Sequence, residues 1–419
     1  MARTVFTNGL VFDGSGSVPA PGEVIVDGDR VVEVRSGWSI FDSETTDQIV
    51  DATGCTVMPG LIESHAHLTF PSAVGHIDPS FNPPLDVSFF HHIEGLPSEL
   101  ARAERNARIL LDAGFTSAYS AGSLLPMPVE VILRDKIKAG AVPGPRMRAA
   151  SMERDNHPVR PDGHTEPDWQ GPDACRRWVH DMAKQGYDSV KFLLSNDDVF
   201  TPGGSQITQY SQEEANAAGE AAREAGVWLN CHAQSAESVK MAVRAGFRSI
   251  YHCTYADEEG LDLLESVKDT VFVSPAPGII YANVHEGEEF GITREVAQKM
   301  GSVDALEGMA AVYPEIRKRG IRALPGGDYG FPNNPIGRNA RDLELFVDVL
   351  GYTPLEVLTA ATKHGGELLG LGDIGMLKPN WVADVLVVRG NPAEDVRVLQ
   401  DQANLVAIMQ AGRFHKAPA

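Results

Sequence analysis

The sequence predicts an α/β protein: a (β/α)8 TIM barrel carrying a small β-sandwich formed from both chain ends. Three observations predict it. Between residues 58 and 372, short apolar β-rich runs alternate with amphipathic helical segments. Those runs end in polar or glycine-rich loops, where a barrel places its working residues. The two chain ends read as strands and turns, and each is too short to bury a core alone. A chain of 419 residues suits one large barrel with an appendage.

Residues 1–57 open with strands at Thr4–Val11, Gly22–Asp27 and Arg30–Val34, the last two joined by the turn Asp27-Gly28-Asp29. Within residues 58–372 the expected strands are Leu61–His65, Thr116–Tyr119, Met147–Ala150, Ser189–Leu194, Val227–His232, Ser249–His252, Val271–Pro275 and Arg322–Gly326. Helical patterns fall at Leu96–Ala113, Val129–Ala139, Pro172–Gln185, Ser211–Ala225, Ala236–Ala245, Glu258–Val267, Ser302–Arg319 and Ala340–Leu350. Residues 373–419 return to strands at Ala383–Val388 and Asn404–Gln410, with turns at Arg389-Gly390-Asn391-Pro392 and near Gly412. An open doubly wound sheet is the competing architecture, but neither a dinucleotide fingerprint in the right setting nor a Walker A loop accompanies it.

Composition excludes several classes. Lys and Arg number 36 against 57 Asp and Glu, a net charge of −21 that repels phosphate backbones and anionic membrane surfaces. No apolar run of about 18 residues is present to span a bilayer, and the first residues lack a secretory pattern. Cys55, Cys175, Cys231 and Cys253 are too few and too irregularly spaced for a disulfide framework or a cysteine zinc site. The expectation is a cytoplasmic protein acting on a small molecule, with neither nucleic acid nor membrane as partner.

The 13 histidines ask for an explanation. His65 and His67 are two apart at a strand end, so alternation points both imidazoles to one side, where they can share a divalent ion. Lys191 lies inside the apolar run Ser189-Val190-Lys191-Phe192-Leu193-Leu194, although lysine is almost never fully buried without a partner. His232 closes the fifth expected strand, His252 the sixth, and Asp328 follows the eighth in Pro325-Gly326-Gly327-Asp328-Tyr329-Gly330. Singly, each has an ordinary reading: a satisfied histidine, a snorkelling lysine, a turn aspartate. Jointly, all six stand at strand C-termini of one barrel, and no single ordinary reading covers that.

These residues carry a resemblance. Pro59-Gly60-Leu61-Ile62-Glu63-Ser64-His65-Ala66-His67 resembles the first-strand signature of the amidohydrolase superfamily. Lys191, His232, His252 and Asp328 follow in its order, and Gly375-Met376-Leu377-Lys378-Pro379 before Ala383-Asp384-Val385 is similar to its C-terminal signature. Glu63 stands where many members carry Asp, a position that is not a metal ligand in the family. The chain is most similar to the binuclear branch of Xaa-Pro and Xaa-Arg dipeptidases, ochratoxin-type amidases and phenylurea and molinate hydrolases. The small-residue-plus-His pattern associated with Xaa-Arg dipeptidases is missing after the third strand.

The resemblance implies that His65, His67 and Asp328 hold one divalent ion, and His232 and His252 the other. Lys191, carbamylated by CO2, bridges them. Zn2+ suits imidazole and carboxylate ligands, with Mn2+ or Co2+ as alternatives. It further implies hydrolysis of an amide-type C–N bond by metal-activated hydroxide, Asp328 acting as general base, in a homo-oligomer. The substrate would be an N-acyl amino acid or dipeptide, or an aryl amide, carbamate or urea. Competing expectations are a cyclic imide or lactone hydrolase, a mononuclear deaminase, and a non-enzymatic relative that has lost its ligands. The last conflicts with six filled ligand positions. The long loops supply candidates for substrate contact: Phe89, His157, Arg160, Trp169, Tyr281 and His285, as aromatic walls, carboxylate clamp or oxyanion donors.

Overall fold

The computed structural model describes residues 3–38, 47–76, 95–157, 168–197 and 203–418. The N-terminal strands are β1 (Thr4–Val11), β2 (Ala20–Asp27), β3 (Arg30–Ser36), β4 (Gln48–Asp51) and β5 (Cys55–Pro59). The chain then alternates: β6 (Leu61–Ala66), α1 (Leu96–Asp112), β7 (Phe115–Ser120), α2 (Val129–Lys138), β8 (Arg146–Arg148), α3 (Pro172–Lys184), β9 (Ser189–Leu193) and α4 (Gln212–Ala225). It continues with β10 (Trp228–Ala233), α5 (Ala236–Ala245), β11 (Ser249–His252), α6 (Glu258–Ser266), β12 (Phe272–Ser274) and α7 (Pro277–His285). Helices α8 (Arg294–Lys299), α9 (Ser302–Lys318), α10 (Arg341–Asp348), α11 (Pro354–Thr359) and α12 (Gly365–Leu369) follow. Strands β13 (Val385–Arg389), β14 (Leu405–Gln410) and β15 (Arg413–Lys416) end the chain.

Strands of the two chain ends pair in one continuous eight-stranded mixed sheet and not in two separately bonded layers. The seam is the antiparallel pair of β5 and β13, from Val385 opposite Pro59 to Arg389 opposite Cys55. Alternation along both strands sends Val57, Val385 and Val387 into a core shared with Phe6, Val24 and Met409. The sheet is tied to β7 by Gln410, whose amide donates to Thr116 O at 2.8 Å, and to β8 by the Arg146–Asp384 pair at 2.6 Å.

Strands β6, β7 and β8 pair in parallel, as do β9, β10, β11 and β12. Isolated parallel bridges extend the path from Ala150 to Ser189 of β9, from Val273 of β12 to Ala323, and from Tyr329 back to Ala66 of β6. The expected strand Arg322–Gly326 is therefore present only as this bridge, with Val273 N–H donating to Arg322 O and Leu324 N–H to Val273 O. Its ladder stops for local reasons. Pro325 has no N–H, and Gly326 N–H turns to the Asp342 carboxylate at 2.8 Å. A Cβ at Gly326 would stand 2.7 Å from His65 N, so only glycine passes this close to β6.

Helices cover the outside through apolar faces. On α4 that face is Ala215, Ala218, Ala221 and Ala222, all buried, and a capping box between Ser211 and Glu214 starts the helix. At the face away from the histidines, Arg148 and Arg248 both lie over the Trp228 ring, at 4.4 and 4.0 Å. They donate to the carbonyls that end α12, from Glu367 to Gly370. Segment 278–291, expected as a loop, begins within α7. Its apolar Gly278-Ile279-Ile280-Tyr281 follows Pro277 in the first turn, a position where proline favours a helix. No helix among the described residues is long and apolar enough to cross a membrane.

Glu130, in the first turn of α2, is fully buried, and burial pushes its carboxyl from the ordinary 4.5 to about 8. The folded chain therefore keeps a proton there that the unfolded chain releases, and this contribution to stability is lost as pH rises through that interval. Glu130→Gln removes the ionisation. Its Tm is expected to gain on the wild type by a few degrees between about pH 5 and about pH 9, measured by thermal melts across that range. A pH-independent gap would show that Glu130 ionises freely.

Candidate active site

All six expected ligands, His65, His67, Lys191, His232, His252 and Asp328, line one cavity of about 90 Å3 at the C-terminal ends of the parallel strands. Ligand atoms of His65, His252 and Asp328 lie within 4.8 Å of one another, as a divalent ion requires. His67 Nε2 is 3.0 Å from Asp328 Oδ1, and His65 Nε2 is 3.8 Å from the same oxygen. The His232 and His252 rings are 4.5 Å apart. Lys191 Nζ donates to Ala121 O at 2.8 Å and pairs with Glu153 Oε1 at 3.3 Å.

Each imidazole is oriented by its surroundings. His65 stacks on Tyr251 at 3.9 Å, and His67 on Phe70 at 4.1 Å. His67 Nδ1 is bonded to Gly122 O at 2.9 Å, leaving Nε2 toward Asp328. His65 Nδ1 and His252 Nδ1 are buried without a hydrogen-bond partner. His252 and Asp328 both take left-handed backbone, with φ of 72° and 59°. That conformation costs on the order of 1–3 kcal/mol for a non-glycine residue and persists only where neighbours impose it. Tyr313 OH donates to His252 O at 2.8 Å. The Asn334 amide donates to Gly327 O at 2.7 Å and to Asp328 O at 3.0 Å.

Electrostatics puts most of the set in ligand form. Burial, reinforced by the neighbouring cations, holds His65 and His252 well below the usual imidazole value and His232 at about 4, so all three are neutral near pH 7. Burial alone would raise Asp328. The imidazoles of His65, His67 and His252 that face it, His67 Nε2 in closest contact, outweigh it and hold the carboxyl far below its ordinary range. Burial also opposes His67, but Asp328 and Glu153 lift it above the usual value. Neutral imidazoles around an anionic carboxylate, two of them with an unbonded buried nitrogen, fit a divalent cation.

The expected substrate contacts fare differently. Phe89 and Arg160 lie outside the described residues. Trp169 is buried, with Arg154 over its ring at 4.3 Å and its Nε1 donating to Asp155 O; it anchors a loop instead of facing the cavity. Tyr281 and His285 pack on each other along α7 at 4.4 Å, and His157 is exposed; none of these four is among the described residues that line the cavity. The lining includes residues the sequence did not single out: Glu153, Phe70, Phe331, Leu124 and Asp197. Glu153 stands three residues beyond the expected third strand, and the parallel bridges of Met152 to Ser123 and of Arg154 to Phe192 reveal that the strand direction continues there.

Parallel strands with histidines and a carboxylate at their C-terminal ends define an α/β protein with a metal-type centre. The chain belongs to the amidohydrolase family, whose model matches residues 56–414. It is 26% identical over 250 residues to an ochratoxinase of Aspergillus niger, a match that covers 59% of this chain and spans 50% of that enzyme's length. It is 23% identical over 425 residues to a 5-methylthioadenosine/S-adenosylhomocysteine deaminase of Desulfitobacterium hafniense, covering 93% of this chain and 85% of that one. The crystal structure of a Xaa-Pro dipeptidase with methionine bound in its active site superposes with a TM-score of 0.82 at 25% identity, over 99% of this chain and 100% of that one.

Glu63 also has more consequence than the sequence suggested. It is buried, with its carboxyl pushed by burial to about 7, and accepts His65 N–H at 2.9 Å and the Asn339 amide at 2.7 Å. Glu63→Ala leaves both donors buried and unpaired, a cost of about 1–3 kcal/mol each. The expected outcome is a Tm lowered by several degrees together with roughly tenfold weaker Zn2+ binding, read by thermal melt and metal titration. An unchanged melt and an unchanged affinity would show that Glu63 supports neither the fold nor His65.

Proposed function

We propose that this protein is a metal-dependent hydrolase of an amide-type C–N bond in a small molecule, built as a (β/α)8 barrel. The barrel is residues 58–372, and the terminal sheet joins residues 1–57 to 373–419. The observation that carries the reading is the convergence of His65, His252 and Asp328 in a cavity also walled by His67, His232 and Lys191. In the finer reading His65, His67 and Asp328 serve one ion and His232 and His252 a second. Lys191, as its CO2 carbamate, then contributes a carboxylate to both. Zn2+ suits these donors, with Mn2+ and Co2+ as alternatives. The kinship with an amidohydrolase called ochratoxinase and the likeness to a Xaa-Pro dipeptidase support cleavage of an amide.

A divalent cation held there supplies a Lewis acid that polarises a carbonyl and lowers the pKa of water. The chain's own residues supply the rest. Asp328, kept anionic by its imidazoles, accepts the proton of the attacking water and delivers it to the leaving nitrogen. Its fixed backbone and the Asn334 bonds hold the carboxylate on one path between the two atoms. Phe70 and Phe331, edge to face at 5.2 Å, keep one side of the cavity apolar and limit the access of bulk water.

A second reading has its own support. The three donors that converge within 4.8 Å are enough for one ion, and a deaminase is among the relatives. Metal analysis of protein produced with Zn2+ and bicarbonate is expected to give two ions per chain. One ion, with ammonia released from an amine substrate, would favour deamination. Lys191→Ala is expected to lower kcat at least about a thousandfold at nearly constant Tm, while retained full activity would show that Lys191 bridges nothing.

A further inference from the structure

Glu153 is a partly buried acid that the catalytic reading leaves without a role. Its side chain is 13% exposed and lines the cavity, with Oε1 3.3 Å from Lys191 Nζ and 3.7 Å from His67 Nδ1. His67 Nδ1 is already bonded to Gly122 O, so Lys191 is the charge that Glu153 answers. A carbamate on Lys191 turns that nitrogen from a cation into part of an anion. Glu153 then loses its ammonium partner, and the described residues lining the cavity include no arginine and no lysine besides Lys191 to replace it. The same lining offers nothing to clamp a substrate carboxylate. A chain with net charge −21 also draws cations toward its clefts and repels anions. The neighbouring wall is apolar, from Phe70, Phe331 and Leu124.

We infer that Glu153 receives an ammonium group of the substrate, so that the substrate is a cationic amino amide with an apolar side group and not an anionic N-acyl amino acid. The inference rests on the hydrolytic, carbamylated-lysine reading above and narrows it. Its test uses phenethylamine, an uncleavable ammonium with an apolar group, bound to the metal-loaded enzyme in a calorimeter. Turnover of phenylalanine anilide is compared with that of its N-acetyl and N-succinyl derivatives.

The wild type is expected to bind phenethylamine and to prefer the free amine. Glu153→Gln should weaken that binding about tenfold or more and raise KM for the free amine more than for the acetyl derivative, with Glu153→Asp recovering part of the loss. Binding unchanged in Glu153→Gln overturns the inference, as does preference for the succinyl derivative or a loss of bound metal in the variant. Should the loaded wild type cleave none of the amides while phenethylamine binding still depends on Glu153, the hydrolytic reading falls and the ammonium subsite stands.

Discussion

The negative charge of Asp328 is the point about which the rest of the site is arranged. A carboxylate under this much burial would take up a proton in isolation, since desolvation penalises the charged form. It remains an anion because His65, His67 and His252 all face it. The dependence runs both ways. The same burial strips His65 and His252 of their protons, and the anion opposes that loss only in part. Neutral donors around one fixed anion are a poor resting arrangement for a protein core and a good one for a cation.

Holding Asp328 there shapes the neighbouring backbone. The segment from Arg322 to Tyr329 bonds with β12 at one end and with β6 at the other, and gives up ladder pairing between them. What replaces the ladder is a set of side-chain bonds: Asp342 to Gly326 N–H, and Asn334 to the carbonyls of Gly327 and Asp328. These bonds sustain a left-handed aspartate. The histidine that faces it across the cavity, His252, is left-handed as well and is held by Tyr313. Strain thus sits at two candidate ligand positions, each braced from a helix or loop outside the strands.

Most of this frame was legible in the sequence because strand and helix periods are local. The eight expected helices match α1 to α6, α9 and α10 to within a residue or two, and the alternation around His65-Ala66-His67 placed both imidazoles on one wall. Features that depend on a neighbour were not legible. Glu153 counts as a site residue only because residues beyond β8 bridge onto β9, and Tyr251 matters because β11 brings its ring under His65. Trp169 looked like a cavity wall and proved to be the cover of a buried arginine, since nothing local couples it to Arg154 fifteen residues earlier. Segment 278–291 read as a loop, yet Pro277 in a first turn is equally a helix start.

The cavity contains acids in two different settings, and the difference separates their roles. Asp328 is ringed by imidazoles, which deliver partial positive charge without competing for a metal ion's place. Glu153 is instead matched to a full ammonium at 3.3 Å, and its ring neighbour His67 turns its other nitrogen to Asp328. A group paired with a lysine ammonium suits another ammonium, whereas a carboxylate among imidazoles, two of them held neutral by burial, suits sharing them with a metal. The two carboxylates therefore divide the cations that a strongly acidic chain attracts. On the reading proposed above, divalent ions belong on the Asp328 side, and organic ammonium groups on the side of Glu153.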